Sequence, residues 1–355
     1  MIQFSPGPSQ LYFTVKDHVK EAFRNDIPSL SHRTKTFESF YQEVKDGLRE
    51  LLSLPSNYSI YFTSSANEIW ERSIQNLVEE KSHHFINGAF SKRHFEISLQ
   101  LGKKATKTEV PMGKSFGPFE IPNGTELIAL THNETSTGVS LDTGYIQSFK
   151  SKYPGSLVIV DAVSSLPYPD FDYNQLDSVY FSVQKGFGLP AGLGVWIVND
   201  RCLAKAEQLL AKGKCIGSYH TLPQLQLFAL KNQTPETPNV LGIYLLSKVI
   251  GDFVRKGITA LRKETEYKAA ILYHVLDNHP SIKPFISAKS DRSKTVIIAD
   301  SGNRTEALTT YLLEKGIYPG EGYGTFKKQH LRFANFPTHS KEQFESLVDV
   351  ISAFH

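Results

Sequence analysis

With 355 residues, 40% hydrophobic and 12% aromatic, the chain is long enough to bury a large domain beside a smaller one. Its 39 basic residues against 36 acidic ones leave a formal charge of +3, spread without blocks of one sign, which argues against a dedicated nucleic-acid surface. Cys202 and Cys215 lack metal or disulfide spacing, and Met1-Ile2-Gln3-Phe4 begins neither a leader nor an apolar span, so a cytoplasmic protein without a metal or a membrane segment is expected.

In chain order, an arm over residues 1–15 carries Pro6 and Pro8. Phe37, Phe40, Tyr41, Val44, Leu48, Leu51 and Leu52 then recur at helical spacing up to Pro55. A strand over 58–62, a tight turn over 63–67 and a helix over 68–79 follow. Further strands are predicted over 83–86, 127–130, 157–160, 179–183 and 195–198, alternating with helices over 92–101 and 143–152. That alternation predicts an α/β fold with a mostly parallel sheet covered on both faces. The stretch 231–239, with Pro235 and Pro238, reads as a connector into a long helix from Val240. A helix over 258–276, a strand over 295–299, a helix over 304–313, a strand over 331–334 and a helix over 339–354 close the chain. The expected division is an arm over 1–15, a large domain over 16–279 with the connecting helix, and a small α+β domain over 280–355.

The most informative stretch runs from Leu157 to Val198. One strand ends in Asp161 and another in Gln184-Lys185-Gly186. Ligands of open α/β sheets sit outside the carboxyl ends of the strands, so the two groups face one crevice if the strands are parallel neighbours. An amine that bonds an aldehyde and a carboxylate that keeps a pyridine nitrogen protonated are what pyridoxal phosphate requires. Strand-end aspartates also serve as helix caps, and a lone lysine is usually a solvated charge. The glycines at 186, 188, 192 and 194 favour the cofactor reading, since they let the backbone turn and a planar ligand approach.

The order Asp161, Ser164-Ser165, Gln184-Lys185-Gly186 and Gly192 resembles the class V pyridoxal-phosphate aminotransferases. Phe4-Ser5-Pro6-Gly7-Pro8, Ser31-His32-Arg33, His132-Asn133-Glu134-Thr135 and Thr234-Pro235-Glu236-Thr237 look like their phosphoserine aminotransferase branch. The resemblance implies a fold-type I transferase and the cofactor pyridoxal 5'-phosphate, with Lys185 and Asp161 catalytic. It implies cofactor contacts from Ala66, Asn67, Phe90, Thr135 and Gln184, although serines replace the usual glycines before Ala66 and Phe90 replaces a common tryptophan. The residues alone leave alternatives: Ser65 or Asn67 as a plain helix cap and Phe90 as a core aromatic. A helix start can also bind phosphate, but the loop alone favours capping, and it is the resemblance that implies the phosphate site here. Thr234 resembles a residue that reaches the cofactor phosphate of a neighbouring subunit, with Gln233 in place of asparagine, which implies a homodimer with shared sites.

For the substrate, His32 and Arg33 resemble a pair that binds an acidic or phosphorylated side chain, and Arg332 resembles the clamp on the α-carboxylate. Arginine suits both anions because its fork makes parallel charge-assisted bonds. The activity implied is transfer of the amino group of glutamate to 3-phosphohydroxypyruvate, in serine biosynthesis. The branch carries a His-Arg pair before its final arginine, whereas here Gly322 to His330 offers Lys327, Lys328 and His330. That difference keeps an alanine:glyoxylate type of transamination as the alternative, and a non-catalytic relative as a more distant one. A nucleotide-dependent oxidoreductase would want GxGxxG after the first strand, where Thr63-Ser64-Ser65-Ala66-Asn67 stands.

Overall fold

The computed structural model describes residues 1–355. Strand β1 (Ile2–Phe4) opens the chain, followed by β2 (Tyr58–Thr63), β3 (Lys81–Ile86), β4 (Lys104–Glu109) and β5 (Leu127–Thr131). A small hairpin, β6 (Asn133–Glu134) and β7 (Val139–Ser140), leads to β8 (Leu157–Asp161), β9 (Ser178–Ser182) and β10 (Gly194–Asn199). Beyond the connector come β11 (Lys283–Pro284), β12 (Val296–Asp300), β13 (Ile317–Glu321) and β14 (His330–Ala334). The helices between them are α1 (Val15–Arg24), α2 (Lys35–Leu52), α3 (Ala66–Leu77), α4 (Ala89–Gln100), α5 (Thr143–Lys152) and α6 (Asp200–Ala211). After these come α7 (Leu222–Ala229), α8 (Val240–Lys256), α9 (Ile258–Asn278), α10 (Thr305–Glu314) and α11 (Lys341–Ser352).

A seven-stranded sheet has the order β2-β10-β9-β8-β5-β3-β4. Strands β5, β8, β9 and β10 are buried along their whole length, as their apolar runs require when both faces are covered. The sheet is parallel apart from β10, which runs antiparallel to both β2 and β9. Direction is not written in a run that is buried on both sides, so the sequence does not reveal this reversal. Nor does it mark β4, whose Lys104-Ala105-Thr106-Lys107 is a polar, largely exposed edge; lysines on such an edge discourage pairing with other chains.

The second sheet, β1-β13-β14-β12-β11, takes strands from both ends of the chain. Parallel pairing of Ile2 to Phe4 with Ile317 to Pro319 puts the start of the chain on it. Its separate core joins Phe4 to Leu272, Leu276, Phe333 and Phe344, so the latter part of α9 packs with this sheet. Lys268 of α9 is fully buried, donating to the carbonyls of Phe336 (2.9 Å) and His339 (2.8 Å), while His339 stacks on Phe4.

The glycines around Lys185 have a different purpose from the one their spacing suggests. A Cβ on Gly186 would strike the carbonyl oxygen of Leu166, one on Gly188 the Thr338 side chain and the Tyr12 backbone, and one on Gly194 the backbone of Ser65. They clear the chain's own neighbours and let the loops after β2, β8 and β9 close together. Gly186→Ala should therefore lower stability by about 1–3 kcal/mol, the usual cost of overpacking. Gly155→Ala, where a Cβ meets nothing within 4 Å, should stay within about 0.5 kcal/mol; urea unfolding of the two variants compares them directly.

Candidate active site

Strands β8 and β9 are parallel neighbours, with Asp161 opposite Tyr180. Asp161 ends β8, and Lys185 follows β9 by three residues at the same end of the sheet. The two do not bond to each other. Asp161 accepts from the Trp70 indole N–H through Oδ2 (2.9 Å) and from the Val163 backbone N–H through Oδ1 (3.0 Å). Burial raises its pKa to about 6 against these donors, and Lys185 opposes the rise least. Lys185 Nζ donates to the Pro6 carbonyl at 2.6 Å. Burial lowers its pKa to about 8, with Arg332 acting the same way and Asp161 and Glu134 in opposition. Gly7, at φ +150°, has no side chain where a Cβ would collide with that amine.

Between acid and amine is a cavity of about 190 Å³, walled by Asn67, Phe90, Thr135, Asp161, Gln184 and Lys185 among others. A larger hollow of about 870 Å³ lies at the other end of the strands, but its Arg201 and Lys205 are already bonded to Asp177 and Glu126.

Each wall has a local cause. Phe90 is in the first turn of α4, whose N-terminus is held by the buried Glu134 carboxylate: this accepts from the N–H of Ser91 (2.9 Å) and of Phe90 (3.4 Å). Unpaired N–H groups at a helix start favour an anion there. Thr135 Oγ1 and Asn133 Nδ2 both donate to Ser164 Oγ, at 2.8 and 2.7 Å, which ties the hairpin motif to the loop after β8. At the other end, Ser65 caps α3 by accepting from the Glu68 N–H. The Ala66 N–H is already donated to Ser182 Oγ at 2.8 Å, and Asn67, rather than Ala66, borders the cavity.

Arg332 lies beside this cavity, donating through Nε to the Glu321 carbonyl (2.6 Å) and through Nη1 to the Thr135 carbonyl (3.3 Å). Tyr323 stands between it and Phe90, 5.6 Å from the guanidinium carbon and 5.3 Å from the Phe90 ring centre. His32, Arg33 and Thr234 do not border the cavity. Arg33 instead holds the connector, donating through Nη1 to Gln233 Oε1 (2.9 Å) and the Thr234 carbonyl (2.8 Å), above the Phe228 ring. Lys327 pairs with Glu321 at the surface. His330 is buried against Phe285 and Phe326, and burial lowers its basicity.

Trp70, Glu134, Ser182 and Tyr323 hold the site without having been singled out in the sequence. Glu134 stands inside the His132 to Thr135 motif, and Trp70 left a signal of its own: a buried indole N–H needs an acceptor, and its helix begins at the proposed phosphate loop.

The donor set fits pyridoxal phosphate. Asp161 receives only neutral hydrogen bonds, so a protonated ring nitrogen would supply the positive partner it lacks. Lys185, Phe90 and Asn67 line the same cavity, an amine, an aromatic face and a side-chain amide.

The family model described as aminotransferase class-V matches residues 2–326. A phosphoserine aminotransferase from a Nocardioides species is 26% identical over 351 residues, covering 97% of this chain and 93% of its own. The crystal structure of a phosphoserine aminotransferase from Cytophaga hutchinsonii is 48% identical with a TM-score of 0.97, over 99% of this chain and 98% of that one. An alanine–glyoxylate aminotransferase from a Nostoc species shares the fold, with a TM-score of 0.81 at 21% identity over 98% and 93% of the two chains.

Asp161 has its pKa raised from 3.8 to about 6, so its ionisation favours the unfolded chain. In the cofactor-free protein its contribution is fully present below the unfolded pKa and is lost as pH rises through about 6, by about 3 kcal/mol at ~1.4 kcal/mol per pKa unit. Urea unfolding across that range should show the decline in wild type and a flatter profile in Asp161→Asn. Trp70→Phe, which removes a donor to the carboxylate, should move the decline to higher pH in the wild-type background.

Proposed function

Since this chain belongs to the class-V aminotransferase family, whose cofactor is pyridoxal 5'-phosphate, we propose that it transfers the amino group of glutamate to 3-phosphohydroxypyruvate. The products are phosphoserine and 2-oxoglutarate, and in our reading the reaction belongs to serine biosynthesis in the cytoplasm. No helix is long and apolar enough to cross a membrane. The observation that carries the reading is the cavity in which a buried amine and a buried carboxylate face each other without bonding.

When bound, the cofactor supplies the aldehyde that takes the amino group and the ring that accepts electrons. Lys185 Nζ would hold it covalently and, as a free amine, would take the proton from the substrate Cα. A pKa of about 8 leaves part of this amine neutral near pH 7, as a base requires, and the Pro6 carbonyl orients it. Asp161 would keep a proton on the ring nitrogen. Phe90 would cover one face of the ring, Asn67 and Gln184 would take the phosphate end with Ala66 behind them, and Thr135 would reach the O3' side of the ring. Arg332 Nη2, which has no acceptor in the protein, would bind the substrate carboxylate.

His32, Arg33 and Thr234 gather outside this chain's own cavity. In our reading they serve the cavity of a second copy in a twofold homodimer, the commonest closed assembly. Tyr219, Leu227 and Leu230, exposed apolar side chains on and around α7, are the surface such a copy would cover. An unphosphorylated acceptor is the second reading. It is favoured by the stretch before Arg332, where Lys327 is paired and His330 is buried.

Lys185→Ala should abolish turnover and the borohydride-trapped link to the cofactor, and peptide mapping of the reduced wild-type protein should find the label on Lys185. With glutamate as donor, kcat/KM should favour 3-phosphohydroxypyruvate over pyruvate and glyoxylate, and Arg33→Ala should erase most of that preference. Equal use of the unphosphorylated acids would select the second reading.

A further inference from the structure

His220 has an environment that the reaction as described does not use. Its buried ring is held between two carboxylates, with Nδ1 2.6 Å from Glu68 Oε1 and Nε2 2.8 Å from Glu236 Oε2. Both ring nitrogens face acceptors, so both must carry hydrogens and the ring is an imidazolium. Burial opposes that charge, but Glu236 and Glu68 raise the pKa to about 9. The backbone of His220 adopts φ +51°, a conformation rare outside glycine, to aim the ring there. Tyr219 stacks on it, and Arg72 lies 3.7 Å from Glu68. On the far side of Glu236, His32 is lowered in basicity by burial and Arg33 and raised by Glu236.

Glu68 directly follows Asn67. Its Oε2 accepts from the N–H and hydroxyl of Ser64 at 2.8 and 2.7 Å, so a carboxylate in the first turn of α3 is tied to the loop assigned to a phosphate. A carboxylate beside that loop repels a phosphate unless cations offset it, and His220 at 2.6 Å is nearer to Glu68 than Arg72 at 3.7 Å. Glu236 lies two residues from Thr234, in the connector assigned to a second copy.

We propose that His220 is a positioning residue for the cofactor phosphate: its imidazolium cancels the charge of Glu68 in the Ser64 to Glu68 loop and, through Glu236, ties that loop to the connector. This rests on the pyridoxal-phosphate reading above. One chain's phosphate loop and the segment it lends to another site are then a single rigid unit.

The test is the affinity of the cofactor-free protein for pyridoxal phosphate and for pyridoxal, which lacks the phosphate, read by tryptophan fluorescence. His220→Gln should weaken pyridoxal phosphate by roughly tenfold, the scale of one uncancelled charge near a protein surface, and leave pyridoxal within about twofold. Glu68→Gln combined with His220→Gln should restore most of the loss. In wild type the ratio of the two affinities should fall as pH rises through about 9, and in His220→Gln it should stay flat; taking the ratio removes the titration of Lys185, common to both ligands. Equal losses for both ligands, no loss, or no recovery in the double variant would overturn the inference while leaving the cofactor reading intact. Wild-type protein that binds neither ligand would overturn both. If His220→Gln does not fold, Glu68→Gln alone decides the matter, since it should tighten pyridoxal phosphate, and weakening would count against the proposal.

Discussion

An acid and an amine buried at the ends of neighbouring parallel strands, and kept from pairing, are the constraint around which this molecule is arranged. A buried charge without a partner is costly, and here each group moves toward neutrality instead, Asp161 up to about 6 and Lys185 down to about 8. Trp70, Val163 and Pro6 supply hydrogen bonds that hold both side chains without satisfying their charge. A ligand with a cationic ring nitrogen and an electrophilic carbon meets both needs at once. The sheet order matters for this reason: β8 beside β9 sets the two groups at one edge, and the loops after β2, β5 and β8 close around them.

The parts of this arrangement that were legible in the sequence are those that depend on short runs. Leu157 to Val160 and Val179 to Val183 announce buried strands, and the acid and lysine that follow them are visible in one dimension. The spacing of Phe37, Phe40, Tyr41 and Val44 likewise marks α2, whose inner face is buried. What was not legible depends on contacts between distant segments. Nothing near Glu134 reveals that its carboxylate seats the start of α4, and nothing near Gly194 reveals that Ser65 will lie against it. The antiparallel course of β10 is hidden because a strand covered on both faces has no side to read. His32 and Arg33 could be matched to a family motif, but only the fold places them against the connector rather than the cavity of their own chain.

The motifs therefore divide by location. One set converges on the cavity: the turn after β9, the hairpin motif and the start of α3. Another set, Ser31 to Arg33 and Gln233 to Glu236, converges on the surface near α7. Fold similarity alone does not separate reactions within this group, since an alanine–glyoxylate aminotransferase shares the architecture. Outside the cavity, Arg332 touches its wall at Thr135 and Tyr323 at Phe90, both from the side of the second sheet, while the connector set lies farther out.

The first residues of the chain join these regions mechanically. Strand β1 is hydrogen-bonded into the second sheet, and Pro6, two residues beyond it, touches the amine of Lys185 in the first. Rotation of one sheet against the other would pull the Pro6 carbonyl away from that nitrogen. The lysine would lose that acceptor, but burial and the charge of Arg332 on β14, the two largest causes holding it near 8, would relax as the molecule opened, so its basicity would rise. The distance between the two bodies, which the arm ties together, is thus a setting on the strength of a base.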